Sequence, residues 1–131
     1  MKYVPSNIFY LFGDLIIVKS TNFIRFEYLY RDAGNNKLWG EILLSNQNGM
    51  DVRHAERAIR SSLIDGEFFV AEDLSVPVLR FQSRDPELDH GWHEFHSLEV
   101  VDDVVAALPN RDLAEFLREL ESASVKWKRV S

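Results

Sequence analysis

The sequence contains no cysteine, and its six glycines and four prolines are scattered singly along 131 residues. Without cysteine there is no disulfide, no thiolate nucleophile and no sulfur-ligated zinc, and the chain fits a reducing compartment. Isolated glycines build neither a Gly-x-Gly-x-x-Gly turn nor a Walker-type loop, so a motif-driven nucleotide site is excluded. No Gly-x-Ser-x-Gly or Ser-x-x-Lys pattern marks a nucleophile, and no motif asks for a cofactor. The longest mainly apolar run, residues 8–18, is broken by Gly13-Asp14 and falls far short of a bilayer span. It also lacks the basic start and small-residue cleavage site of a signal peptide. These absences lead us to expect a soluble, cytoplasmic protein with no membrane association. No repeat, low-complexity tract or linker divides it, so residues 1–131 read as a single α+β domain.

What the chain does have is ample material for a core, with 46% hydrophobic and 12% aromatic residues. Its net charge of −6 is unevenly spread. Residues 1–64 carry eight basic against six acidic side chains, and residues 104–131 carry five against four. Residues 65–103 carry two against eleven. An acidic segment repels phosphate backbones, which disfavours nucleic acid as a partner. The basic stretches that remain, Lys126-Trp127-Lys128-Arg129 and Arg53, Arg57 and Arg60, are too few to reverse that.

Apolar spacing gives the elements. Two short apolar runs around Gly13-Asp14 predict a hairpin, with a short helix over residues 7–12 as the alternative. Ile24, Phe26, Tyr28 and Tyr30 alternate with Arg25, Glu27, Leu29 and Arg31, the period of a half-buried strand, and residues 37–44 form its hairpin partner. Gly40 leaves a gap on the apolar face of that partner or allows a close approach. Val52, Ala55, Ile59 and Leu63 recur at helical spacing behind the N-cap candidate Asp51, giving an amphipathic helix over about residues 52–64, closed by Gly66. Residues 67–72, 76–81 and 92–101 read as three further strands, and Asp102-Asp103 as the cap of a helical turn over 104–108. Leu113, Phe116, Leu117 and Leu120 mark a second helix over about residues 111–121. Residues 122–131 read as a tail in which Val125 and Trp127 dock as an edge strand. The expected architecture is a mainly antiparallel sheet, with elements ordered ββ-ββ-α-βββ-α. The first helix packs across it.

Chemistry is densest in residues 85–101. His90, His93 and His96 lie there with Glu94, and imidazole with carboxylate is the ligand set for zinc or another divalent ion when cysteine is absent. One expectation is therefore a small metal-assisted hydrolytic enzyme built on these four residues, with His54 as a further ligand. Strand alternation argues against it, because it separates His93 from His90 and His96. The competing reading is packing, with one histidine hydrogen-bonded in the interior and the others solvated. The other expectation is a non-catalytic protein-binding module whose 65–103 segment offers an acidic face to a basic protein. Asp85, Glu87 and Asp89 would form the acidic approach, with Trp92 and Phe95 as anchors. In size and charge the chain looks like the small acidic immunity partners of basic toxins, or like accessory proteins of mobile elements. An exposed edge over 76–81 or 125–130 would allow a homodimer.

Overall fold

Phe23–Arg31, nine residues long and paired on both sides, is the central strand of the protein. The structure is a computed structural model describing residues 8–12, 15–18, 23–82, 91–101 and 108–130, with side chains for 23–82, 91–101 and 108–128. β1 (Ile8–Phe12) and β2 (Leu15–Val18) pair antiparallel as a two-stranded ribbon with Phe12 opposite Leu15. This is the expected hairpin, and Gly13-Asp14 between them lies outside the described residues. The main sheet holds β3 (Phe23–Arg31), β4 (Lys37–Ser45), β5 (Phe68–Val70), β6 (Trp92–Val101) and β7 (Arg111–Asp112) in the order β5-β6-β3-β4-β7. All its pairings are antiparallel except the short β4–β7 contact at Leu44 and Ser45. The protein is thus α+β with a mostly antiparallel sheet.

Helix α1 (Val52–Ser62) and helix α2 (Leu113–Val130) both pack on one face of this sheet. Asp51 caps α1 by accepting the His54 N–H at 3.1 Å, as its sequence position implied. Ala55, Ile59 and Leu63 then meet Ile24, Phe26 and Tyr28 from β3 in a continuous core. Phe26 is its hub: the rings of Phe116, Phe95, Phe69 and Tyr28 stand 5.0, 5.2, 5.8 and 5.8 Å from it. At the start of α2, Asp112 accepts hydrogen bonds from the Ser45 hydroxyl, the Gln47 N–H and the Ala114 N–H. Burial alone would raise its pKa, but these donors outweigh burial and hold the carboxyl below its usual range. One side chain therefore caps the helix and ties it to the end of β4.

Three expectations need correction. Residues 76–81 are not a strand; they form an irregular strap over the helix-side face, with no ladder. Side chains hold the strap instead, because Tyr28 donates to the Pro77 carbonyl at 2.5 Å and His93 accepts the Leu79 N–H at 3.0 Å. Leu79 lies over Gly40, where an added Cβ would meet its methyls at 3.1–3.2 Å and the Tyr28 ring at 3.0 Å. The gap at Gly40 is thus filled from the strap. Second, residues 122–130 continue α2, so there is no C-terminal edge strand. Trp127 is 7% exposed and donates its indole N–H to Asp73 at 2.9 Å, with Lys126 on the other carboxylate oxygen at 3.1 Å. The Trp127 bond, then Lys126, hold the Asp73 carboxyl below its ordinary pKa. Third, α1 ends at Ser62 because Leu63 turns extended and the Ile64 N–H pairs with the Phe68 carbonyl at 2.8 Å. The left-handed Asp65 and Gly66 close that turn rather than the helix. Most of the expected helical turn at 104–108 lies outside the described residues; its last residue, Leu108, is irregular and exposed.

Candidate functional site

Because both helices cover the same side, the other face of the sheet carries no helix among the described residues. We call it the open face. Strand parity decides what it displays. β3 sends Arg25, Glu27, Leu29 and Arg31 outward, opposite the buried Ile24, Phe26, Tyr28 and Tyr30. β4 contributes Lys37, Trp39 and Glu41, and β5 contributes Phe68 and Val70 beside the buried Phe69. β6 contributes Trp92 and Glu94, and a bulge opposite Glu27 and Tyr28 makes His96 an extra residue in that strand.

Strand alternation is why His93 and His96, three residues apart, do not form one cluster. His93 is 2% exposed on the helix side, among the rings of Tyr30, Phe69 and Tyr28 at 5.4, 5.9 and 6.0 Å. Its Nε2 accepts the Leu79 N–H, so the neutral ring carries its proton on Nδ1, which lies 3.4 Å from the Gly91 carbonyl. An Nε2 lone pair committed to a backbone N–H is not free for a metal. His96 lies on the opposite face, half exposed, with Nε2 3.6 Å from a Glu27 oxygen and its ring edge-on to Trp39 at 4.9 Å. Glu94 shares that face, but its carboxylate is occupied by Arg31, whose Nε donates to it at 2.8 Å. This bond, with the charge of Glu94 behind it, raises the Arg31 pKa above its ordinary value. His54 sits on α1, on the helix side. His90 lies outside the described residues, and among the described residues no three His, Asp or Glu side chains could hold a metal ion. The expected His93–His96–Glu94 convergence is therefore replaced by a buried acceptor on one face and an ion-paired surface on the other.

The described carboxylates of the 65–103 segment do not gather on one face either. Glu94 and Glu99 bond to Arg31 and Arg25 on the open face, while Glu72 pairs with Arg80 at 3.4 Å and Asp73 turns toward α2. Asp65 and Glu67 are exposed in the turn before β5. Asp85, Glu87 and Asp89, the expected acidic approach, lie outside the described residues. Of the two expected anchors, Phe95 is 5% exposed, stacked on Phe26, with the Arg60 guanidinium 4.8 Å over its ring. No partner reaches it without parting α1 from the sheet. Trp92 is different: it is 44% exposed and lies against Phe68 at 5.6 Å.

Trp39, 52% exposed at the other side of the open face, was missed in the sequence reading. The signal was there, since Trp39 shares the parity of Lys37 and Glu41 rather than that of Leu38 and Ile42. Between the two tryptophans, Leu29 is only 3% exposed, with Trp39 opposite it on β4 and Glu94 opposite it on β6. The open face therefore has an aromatic at each side and an Arg31–Glu94 ion pair between. In Trp127, by contrast, the aromatic of the basic C-terminal stretch is buried, which leaves no stacking platform there for a nucleic acid base. No helix among the described residues is long and apolar enough to cross a membrane. Compared with protein-family models, curated proteins and solved structures, the chain matches none.

Proposed function

We propose that this chain is a protein-binding module without catalysis of its own, acting in the cytoplasm, and that it takes a basic protein partner at the β5–β6 side of the open face. Trp92 is the anchor, with Phe68 and Val70 beside it. The acidic rim comes from Glu67 and from Asp85, Glu87 and Asp89, which precede Trp92 in the chain by three to seven residues. One observation carries the reading: β6 buries His93, Phe95 and Leu98 on its other face yet holds a large aromatic at 44% exposure on a face without a helix among the described residues. Tryptophan is enriched among residues that dominate binding energy, and carboxylates around it raise association rates for a cationic partner. A role like that of an immunity protein toward a basic toxin, or of a mobile-element accessory protein, fits this chemistry.

Affinity capture from the native host tests the proposal with three baits: the unaltered chain, Trp92→Ala, and charge reversal at Asp85, Glu87 and Asp89. The expected result is a basic protein retained by the first bait and lost from the other two. Titration of the purified binder should then show Trp92→Ala weakening affinity by about 30-fold, the scale of an interface hot spot. Identical captured sets from all three baits would sink the proposal.

A further inference from the structure

β4 is paired along its whole length with β3, but on its other side it meets β7 only at Leu44 and Ser45. The Asn110 N–H adds one bond to the Leu43 carbonyl at 2.7 Å. Over residues 37–42 that edge has no backbone partner among the described residues. It contains no proline, and its ladder with β3 has no bulge. An unblunted edge of this kind is a template for another strand.

The side chains say which strand. In the β3–β4 register Lys37 stands directly opposite Arg31, and Glu41 directly opposite Glu27. Both are like-charge pairs, which cost rather than stabilise. Lys37 makes no ion pair among the described residues. Lys37 and Glu41 are four residues apart on one strand face, about 13 Å, so they cannot satisfy each other within one chain. Lys37 therefore has a like charge on its inner side and an open edge on its outer side; Glu41 faces Glu27 with Arg25 of β3 at 4.0 Å, and it has the same open edge.

We infer that a second copy of this chain pairs antiparallel with β4 about a two-fold axis at Trp39. That register sets Lys37 of each copy opposite Glu41 of the other, on both sides of the axis. Any other antiparallel register fails to oppose these two charges. Across the open face the row then reads Arg31, Lys37, Glu41, Glu27, with the sign changing at the junction of the two copies. Trp39, 52% exposed in one copy, meets its own equivalent at the axis. On the helix side Leu38 comes opposite Gly40, over which Leu79 of the strap lies, so the two leucines are brought together there. The contact is isologous and closes on itself, giving a dimer rather than a fibre. It uses a different part of the molecule from Trp92 and stands whether or not that residue binds a partner.

Charge exchange tests the register without threatening the fold. Lys37→Glu places a carboxylate opposite Arg31, and Glu41→Lys places an ammonium opposite Glu27, so each single variant relieves a directly opposed like-charge pair inside its own chain, the second with loss of the exposed 4.0 Å pair to Arg25. Each also sets like charges against each other twice across the two-fold. Sedimentation equilibrium of the full chain should show a dimer with a dissociation constant on the order of micromolar, as suits a small interface. Each single variant should dimerise about tenfold more weakly or not at all. An equimolar mixture of the two should recover the dimer, because in the mixed pair the two introduced charges face each other with opposite sign, and so do the two original ones. The unaltered chain remaining monomeric to millimolar concentration would overturn the inference. So would single variants that dimerise as tightly as the unaltered chain, or a mixture that stays monomeric.

Discussion

His93 and His96 are the same residue three positions apart on one strand, and they have nothing else in common. His93 is sealed among aromatic rings and spends its free lone pair on the backbone of the 76–82 strap. His96 stands half in water beside Trp39 and Glu27. The helix-side face of the sheet is built from groups that have lost water and must find every partner within the protein. The open face is built from ion pairs that water can replace. Proximity in sequence is therefore a poor guide to a shared site on a strand, where each step changes face and a bulge changes the count.

The sharpest way to break this contrast is to remove one large ring from each face. Phe26→Ala empties the centre of the core and should lower unfolding free energy by about 3–5 kcal/mol, read from urea denaturation. Trp39→Ala removes a larger ring from the open face and should cost about 1 kcal/mol in dilute solution, the worth of a half-covered side chain. Equal losses would mean that the open face is as firmly built as the core, and the distinction between the two would fail.

A second test uses pH on the helix side. Burial pushes the Tyr28 phenol up to about 12, and its hydroxyl donates to the Pro77 carbonyl. The folded state thus holds this proton more tightly than the unfolded chain does. Its contribution is complete below the ordinary phenol pKa of about 10 and is lost as pH rises through the folded value near 12. Across that window the unaltered protein should lose on the order of 2 kcal/mol more stability than Tyr28→Phe. At neutral pH the variant itself should be weaker by about 1 kcal/mol, the net worth of the lost hydrogen bond. Parallel stability curves for the two proteins from pH 10 to 12 would show that the phenol is not confined as described.

How much of this was legible beforehand follows the same division. β3, β4 and α1 were readable because a buried face imposes a period on the sequence, two for a strand and near 3.6 for a helix. The strap was not readable. Its alternating Val76, Val78 and Arg80 imitate a strand, and only the distant Tyr28 hydroxyl and His93 ring show why it takes no ladder. The continuation of α2 was readable and was overlooked: Leu113, Phe116, Leu120, Ser124 and Trp127 form one helical stripe, with no glycine or proline after Asn110. Phe95 as a surface anchor contradicted parity from the outset, since it is an even step from His93 and an odd one from Trp92. The bulge at His96 left no trace in the sequence, because it is set by how β6 meets β3.

The smallest effect belongs to the ion pair at the centre of the open face. Glu94→Gln removes the charge that faces Arg31 while leaving an oxygen that can still accept a hydrogen bond. The Arg31 side chain is 38% exposed, so its guanidinium can rehydrate when the carboxylate is gone. A pair of this kind, with its guanidinium in water, contributes little, and screening by salt reduces even that. Stability of Glu94→Gln should therefore approach that of the unaltered chain as ionic strength rises. A loss above about 2 kcal/mol that persists in high salt belongs to a buried, desolvated pair. That outcome would mean the face carrying both tryptophans is covered in solution, and it would undo the division between the two faces of the sheet.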